Sequence, residues 1–192
     1  MTLTLLDVSD NKLKALPNAI CGFKSLVTLK ADRNELTRLP FSLGRIEALR
    51  WLHLAGNKIA ALPGSLLTNK PLDSLDLSGN DLKPATDSGK MLYVRLNFPS
   101  LVDLCLLDLM KRNVDLDECE LPGNLLRLRD SAEKCRCGKT VLSTRAVVLN
   151  GMRHSRVTRN FVSEGGESEI LFETVVCSMH CLKRYRKNPF AF

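Results

Sequence analysis

Four of the seven cysteines in this chain stand in two close pairs, Cys135-x-Cys137 and, after one long excursion, Cys177-x3-Cys181. Two close thiol pairs joined by one excursion are the arrangement of a tetrahedral four-sulfur zinc site, and thiolates are the soft ligands that zinc accepts. The pairs are spaced by one and by three residues, where two is usual, and His180 is an alternative donor for one position. Two other readings of the same residues stand beside zinc: buried free thiols, and a redox or catalytic pair. The three remaining cysteines, Cys21, Cys105 and Cys119, read as structural. None of the seven has a His and an acid placed to make it a nucleophile.

Other chemistry is hard to find, and no enzyme activity is expected. The chain has no phosphate-cradling glycine motif, no H-E-x-x-H and no paired carboxylates on a recognisable scaffold. A RING ligase would need eight metal ligands at ring spacing, and only four cysteines are well placed. The net charge of +7 is spread evenly, +3 over residues 1–83 and +4 over 84–192. A basic stretch (Arg145, Arg153, His154, Arg156, Arg159) lacks interleaved aromatics, so nucleic acid is not an expected partner. No apolar run approaches a bilayer span, and the N-terminus lacks the pattern of a signal peptide. With an odd cysteine count and no glycosylation sequon, the protein is expected inside the cell, in cytoplasm or nucleus, without a membrane partner.

The elements that must carry these residues begin with a repeat. The template L-x-x-L-x-L-x-x-N-x-L recurs with its asparagines at Asn11, Asn34, Asn57 and Asn80, a constant pitch of 23 residues. Leu16-Pro17, Leu39-Pro40 and Leu62-Pro63 keep the same pitch. This pattern resembles the leucine-rich repeat, in which each L-x-L is a short strand stacked in parallel on its neighbours and each asparagine satisfies backbone groups where the chain turns. Single units cannot bury their apolar face, so stability comes from stacking. The array starts abruptly, which implies that upstream repeats are missing from this chain or that another surface covers that end. Positions between the strand leucines should face the concave side, where such proteins bind partners. On that basis Lys30, Arg33, Trp51, His53 and Asp76 are the candidate target-binding residues, with Trp51 as the anchor. The other reading of Trp51 is packing under the C-terminal module.

From Ser100 the periodicity turns helical. Ser100 and Asp103 form a capping-box signature, followed by an apolar stripe of Leu101, Leu104, Cys105, Leu109 and Met110. Past an acidic turn, Leu121-Pro122 opens a second stripe with Leu125 and Leu128. The bland reading is a pair of helices that close the last repeat. Taken together, Leu101-x3-Cys105-x3-Leu109 and Leu121-Pro122-x2-Leu125-x2-Leu128 resemble the Elongin-binding box and cullin box of VHL-box substrate receptors. The order of parts through to the cysteine motifs is similar to leucine-rich repeat proteins with a C-terminal VHL-box-like segment and cysteine module. That resemblance implies a non-catalytic substrate receptor of an Elongin–cullin–RING ubiquitin ligase. In it Leu101, Cys105 and Leu109 would dock on Elongin C of the Elongin B–C pair. Leu121, Pro122, Leu125 and Leu128 would select the cullin, cullin-2 before cullin-5. The alternative is a general repeat scaffold for protein interaction in intracellular signalling, with no ligase link.

The expected fold is α/β: a solenoid of four 23-residue repeats over 1–83 and a linker over 84–99. A helical box-like segment over 100–130 and a cysteine-rich, zinc-binding β module over 131–192 follow, the latter with strands at Thr140–Leu149 and Ile170–Val176.

Overall fold

The computed structural model describes residues 2–68, 70–82, 100–112, 122–130, 132–135, 137–142, 146–164 and 169–187. The expected linker over 84–99, the acidic turn, Leu121 and Cys119 lie outside the described residues. The chain forms two compact units, one of residues 1–92 with 149–174 and the other of 93–148 with 175–192. No helix among the described residues is long and apolar enough to cross a membrane.

In the first unit, the strands β1 (Leu5–Asp7), β2 (Thr28–Lys30), β3 (Trp51–His53) and β5 (Leu72–Asp76) pair in parallel. A short strand β4 (Leu62–Pro63) lies between β3 and β5 in sequence. The register aligns Leu6, Leu29, Leu52 and Leu75, and the last three are wholly buried. Burying each such leucine contributes roughly 1.5–3 kcal/mol, and the cost of ordering the chain offsets most of it.

The repeat is written as clearly in the polar groups. Asn57 Oδ1 accepts the Leu36 N–H at 3.0 Å, while its Nδ2 donates to the Ala31, Leu54 and Ala55 carbonyls. Asn34 and Asn80 make the corresponding bonds one unit earlier and later. The residue before each asparagine sits in the left-handed region: Asp10 (φ 57), Arg33 (φ 51), Gly56 (φ 64) and Gly79 (φ 63). Glycine takes that conformation freely and the other two do so under local strain, so the same turn geometry recurs before each of these asparagines.

A fifth strand completes the sheet, and it comes from the far end of the chain. β9 (Thr158–Val162) pairs in parallel with β5, setting Ser74 against Asn160, Leu75 against Phe161 and Asp76 against Val162. The bonds Val8 N–H to Lys30 O, Ala31 N–H to His53 O and Leu54 N–H to Asp76 O are followed in step by Leu77 N–H to Val162 O. Phe161 thus continues the inward leucine row, and its other face stacks on His154 at 4.7 Å. In a separate sheet β10 (Glu169–Val176) pairs in parallel with β4, Phe172 against Leu62, with Arg38 and Glu173 in an ion pair at 3.5 Å.

This corrects the expected boundary, because the stretch 131–192 is not one module. Residues 149–174 belong with the repeats, where Met152, Val157, Ile170 and Phe172 join their core. The physical reason is the open end of the last repeat: Leu72, Leu75 and Leu77 need an apolar partner, and these residues supply it. The strand expected at Thr140–Leu149 is in fact two, Thr140–Val141 and Ala146–Arg153.

The second unit holds α1 (Leu101–Lys111), α2 (Gly123–Asp130), a hairpin of β6 (Glu133–Lys134) with β7 (Thr140–Val141), and α3 (Met179–Lys187). The remaining strand β8 (Ala146–Arg153) pairs with β10. α1 begins with the capping box, in which Asp103 N–H donates to Ser100 Oγ at 3.1 Å and Ser100 N–H donates to Asp103 Oδ2 at 2.8 Å. A small core forms where Leu106 and Leu142 are buried among Leu107, Met110, Leu128 and Ala132.

Candidate functional site

The β6–β7 hairpin positions the first two thiols. Lys134 pairs with Thr140, Cys135 N–H donates to Lys139 O, and Gly138 N–H donates to Cys135 O, so Cys135 and Cys137 sit in a tight turn. Gly138 has φ 89, a conformation that a side chain would strain. The second pair flanks the start of α3, where Ser178 Oγ accepts the Cys181 N–H at 3.3 Å in the manner of an N-cap. Buried Leu182 and Tyr185 anchor that helix.

These two devices bring Cys135, Cys137, Cys177 and Cys181 together, with all four sulfurs within 4.8 Å of one another. The Cys137–Cys177 and Cys177–Cys181 Sγ separations are both 3.6 Å. A tetrahedron of Zn–S bonds of about 2.3 Å needs sulfurs about 3.8 Å apart, so the four thiols fit a tetrahedral metal. His180 is exposed and outside this cluster. Burial pushes the Cys135 thiol up to about 12. At Cys137 burial acts the same way, but hydrogen bonds from the Lys139 backbone and the neighbouring thiols outweigh it and bring the group down to about 7. A bound cation would override this difference, because it holds all its ligands as thiolates. Cys21, raised to about 11 by burial, has the environment of an inert core thiol.

α1 turns its expected stripe outward. Leu101 is 77% exposed, Val102, Leu104 and Leu109 are exposed, and Cys105 lies in the open between Leu101 and Leu109. The face that packs inward is instead Asp103, Leu106, Leu107 and Met110. Periodicity alone suggested Leu101, Leu104 and Cys105 as the packing stripe, because both faces of this helix are apolar. Of the second box, Pro122 is exposed, Leu125 is half-buried, and Leu128 packs at the Leu106–Leu142 core.

On the sheet of the first unit the outward positions form two rows. Leu5, Thr28, Trp51, Ser74 and Asn160 make one, and Asp7, Lys30, His53, Asp76 and Val162 make the other. Trp51 is 41% exposed and Val162 is 48% exposed. Arg33 departs from the expectation: it lies past the strand, and its guanidinium grips Asp10 at 2.5 and 2.6 Å, which holds the Asp10 carboxyl below its ordinary range. Asn160 and Val162 were missed in the sequence. The strand Thr158–Val162 carries no repeat template, and only the apolar-polar alternation around Phe161 signals it.

Residues 2–23 match the model of the Leucine Rich Repeat family. Among solved structures, the chain is similar to a leucine-rich-repeat protein of Leptospira interrogans, at 34% identity and a TM-score of 0.42, over 43% of this chain and 21% of that one. The chain therefore spans about a fifth of that protein's length. No curated protein matches the chain. The family match, together with parallel strands and asparagine turns that recur through residue 80, gives the first part of the chain a leucine-rich-repeat fold.

Proposed function

We propose that this protein is a non-catalytic substrate receptor of an Elongin–cullin–RING ubiquitin ligase, with four repeats whose outward sheet rows hold the target. The observation that carries the reading is the capped helix α1, which presents Leu101, Cys105 and Leu109 to solvent. A helix that merely closed the solenoid would bury that stripe. Exposed leucines at i and i+8, with a compact cysteine between them, suit insertion into the groove of another protein, here Elongin C. Pro122, Leu125 and Leu128, with Leu121 before them, would contribute to cullin choice, and cullin-2 is preferred. A structural zinc on the four thiols would hold the β6–β7 hairpin to α3 in the same unit as α1. Such a receptor accelerates ubiquitin transfer by raising the effective concentration of target lysines, not by chemistry of its own.

The test is co-purification with Elongin B–C, comparing wild type with a Leu101→Ser, Cys105→Asp variant. Both positions are exposed, so the variant should keep its circular dichroism spectrum while binding falls by about 30-fold or more, as for the loss of an interface hot spot. Absence of binding by folded wild type would leave the plainer reading, a repeat scaffold for protein interaction.

Target recognition makes a separate expectation. Trp51→Ala and Val162→Asp lie in the first unit, and α1 belongs to the second. Proximity labelling in cells should lose its target proteins with either variant while Elongin B–C labelling persists. An unchanged target set would remove the outward rows from the reading.

A further inference from the structure

Beside the thiol cluster, α1, the β6–β7 hairpin and the turn at Cys177-Ser178 enclose an open cavity of about 730 Å³, within the range that holds a small ligand or a peptide side chain. Its floor is apolar, made by Leu104, Leu107 and Met110 of α1 with Val141 and Leu142 of the hairpin. Its charged residues are all cations. Lys111 comes from the end of α1, while Lys134 and Lys139 come from the two arms of the hairpin, and all three are exposed. No acidic residue lines the cavity among the described residues.

Three lysines around one cavity give it a positive potential that attracts an anion, and an apolar floor rewards an apolar group delivered with that anion. The lysines are point charges on flexible stems without the planar fork of arginine, so they suit several loosely placed carboxylates. Leu101, Cys105 and Leu109 are not in the lining, although Leu104, beside them on the exposed face of α1, is.

We propose that the cavity binds an acidic peptide segment of a partner protein, with one leucine-like side chain on the apolar floor and flanking carboxylates at Lys111, Lys134 and Lys139. Cys177 and Ser178 form one wall, so the cavity keeps its shape only while the thiol cluster holds that turn. The site therefore joins recognition of a partner to the integrity of the cysteine cluster, whatever role the rest of the chain has.

The probe is a fluorescein-labelled peptide, Glu-Glu-Leu-Glu-Glu, titrated into the full chain with methyl-labelled Leu and Met. Binding should shift the Met110, Leu104 and Leu107 methyl signals and weaken as salt rises. Glutamine in place of the glutamates, or alanine in place of the leucine, should weaken it by about tenfold. The paired change Lys134→Glu, Lys139→Glu should do the same, and so, more mildly, should Lys134→Gln, Lys139→Gln; both pairs change exposed side chains and should leave the fold intact. Absence of methyl shifts at millimolar peptide would overturn the proposal, as would binding indifferent to the lysine changes. A cavity that takes dodecanoate but not the peptide is a site for a free amphiphilic carboxylate, and that outcome also overturns it.

Discussion

Stripping metal from the purified protein, or replacing Cys181 with serine, should unfold the second unit while the repeats stay folded. Structural zinc binding is worth roughly 10–16 kcal/mol in small zinc-finger peptides near neutral pH, more than the stability of most domains. The thiol cluster joins the turn of the β6–β7 hairpin to the start of α3, whose buried Leu182 and Tyr185 lose their anchorage if that link is cut. Cys181 is buried at the start of α3, so serine there would remove one thiol of the four and put a weaker metal donor in its place. We expect about one zinc per chain by elemental analysis, falling to near zero in Cys181→Ser. Amide exchange over 133–142 and 179–187 should become fast, whereas residues 28–30, 51–53 and 72–76 should keep their protection. Acid acts in the same direction. The metal needs four thiolates, and protons compete for them, so zinc should be released as the pH falls from neutral. A metal-free protein with full protection over both segments would dismiss the metal, and the four thiols would then stand as buried and free.

Asn57→Ala should be the most damaging single change in the solenoid, costing about 3–5 kcal/mol and lowering Tm by roughly 10 to 20 °C. Asn57 is buried and bonds both within its own turn and to the turn before it, through Leu36 N–H and Ala31 O. Alanine leaves these backbone groups without partners where water does not reach, and each buried orphan costs about 1–3 kcal/mol. Asn57→Leu should be no better, because added apolar volume does not answer the orphaned N–H. The control lies in the same motif. Asn11 is exposed and donates only to Val8 and Ser9 of its own turn, so water can replace it, and Asn11→Ala should cost less than about 1 kcal/mol. Thermal melts of the two variants would decide the matter. Equal losses would mean that the asparagines act through turn propensity and not through the ladder between units.

Much of this architecture is legible without coordinates. A pitch of 23 residues forces Leu29, Leu52 and Leu75 into one inward row and Asn34, Asn57 and Asn80 into one column, because parallel strands admit a single register when one face is buried. The cysteine pairs were legible for a related reason: tetrahedral thiol sites demand two tight turns, and those turns are local. Ser100 and Asp103 announced a helix start through chemistry confined to four residues.

Long-range partnership was decided elsewhere. Thr158–Val162 could have been any short strand, and only the open edge of β5, with Leu75 needing an inward neighbour, made it the fifth member of the sheet. α1 has leucines on nearly every face, so periodicity could not say which face the core would take. The core took Leu106, Leu107 and Met110, because Leu142 and Leu128 met it there, and left Leu101, Cys105 and Leu109 outside. Local rules of turn, cap and period act over a few residues and can be read from them. Which apolar face meets which partner depends on groups distant in the chain, and that was settled only by folding.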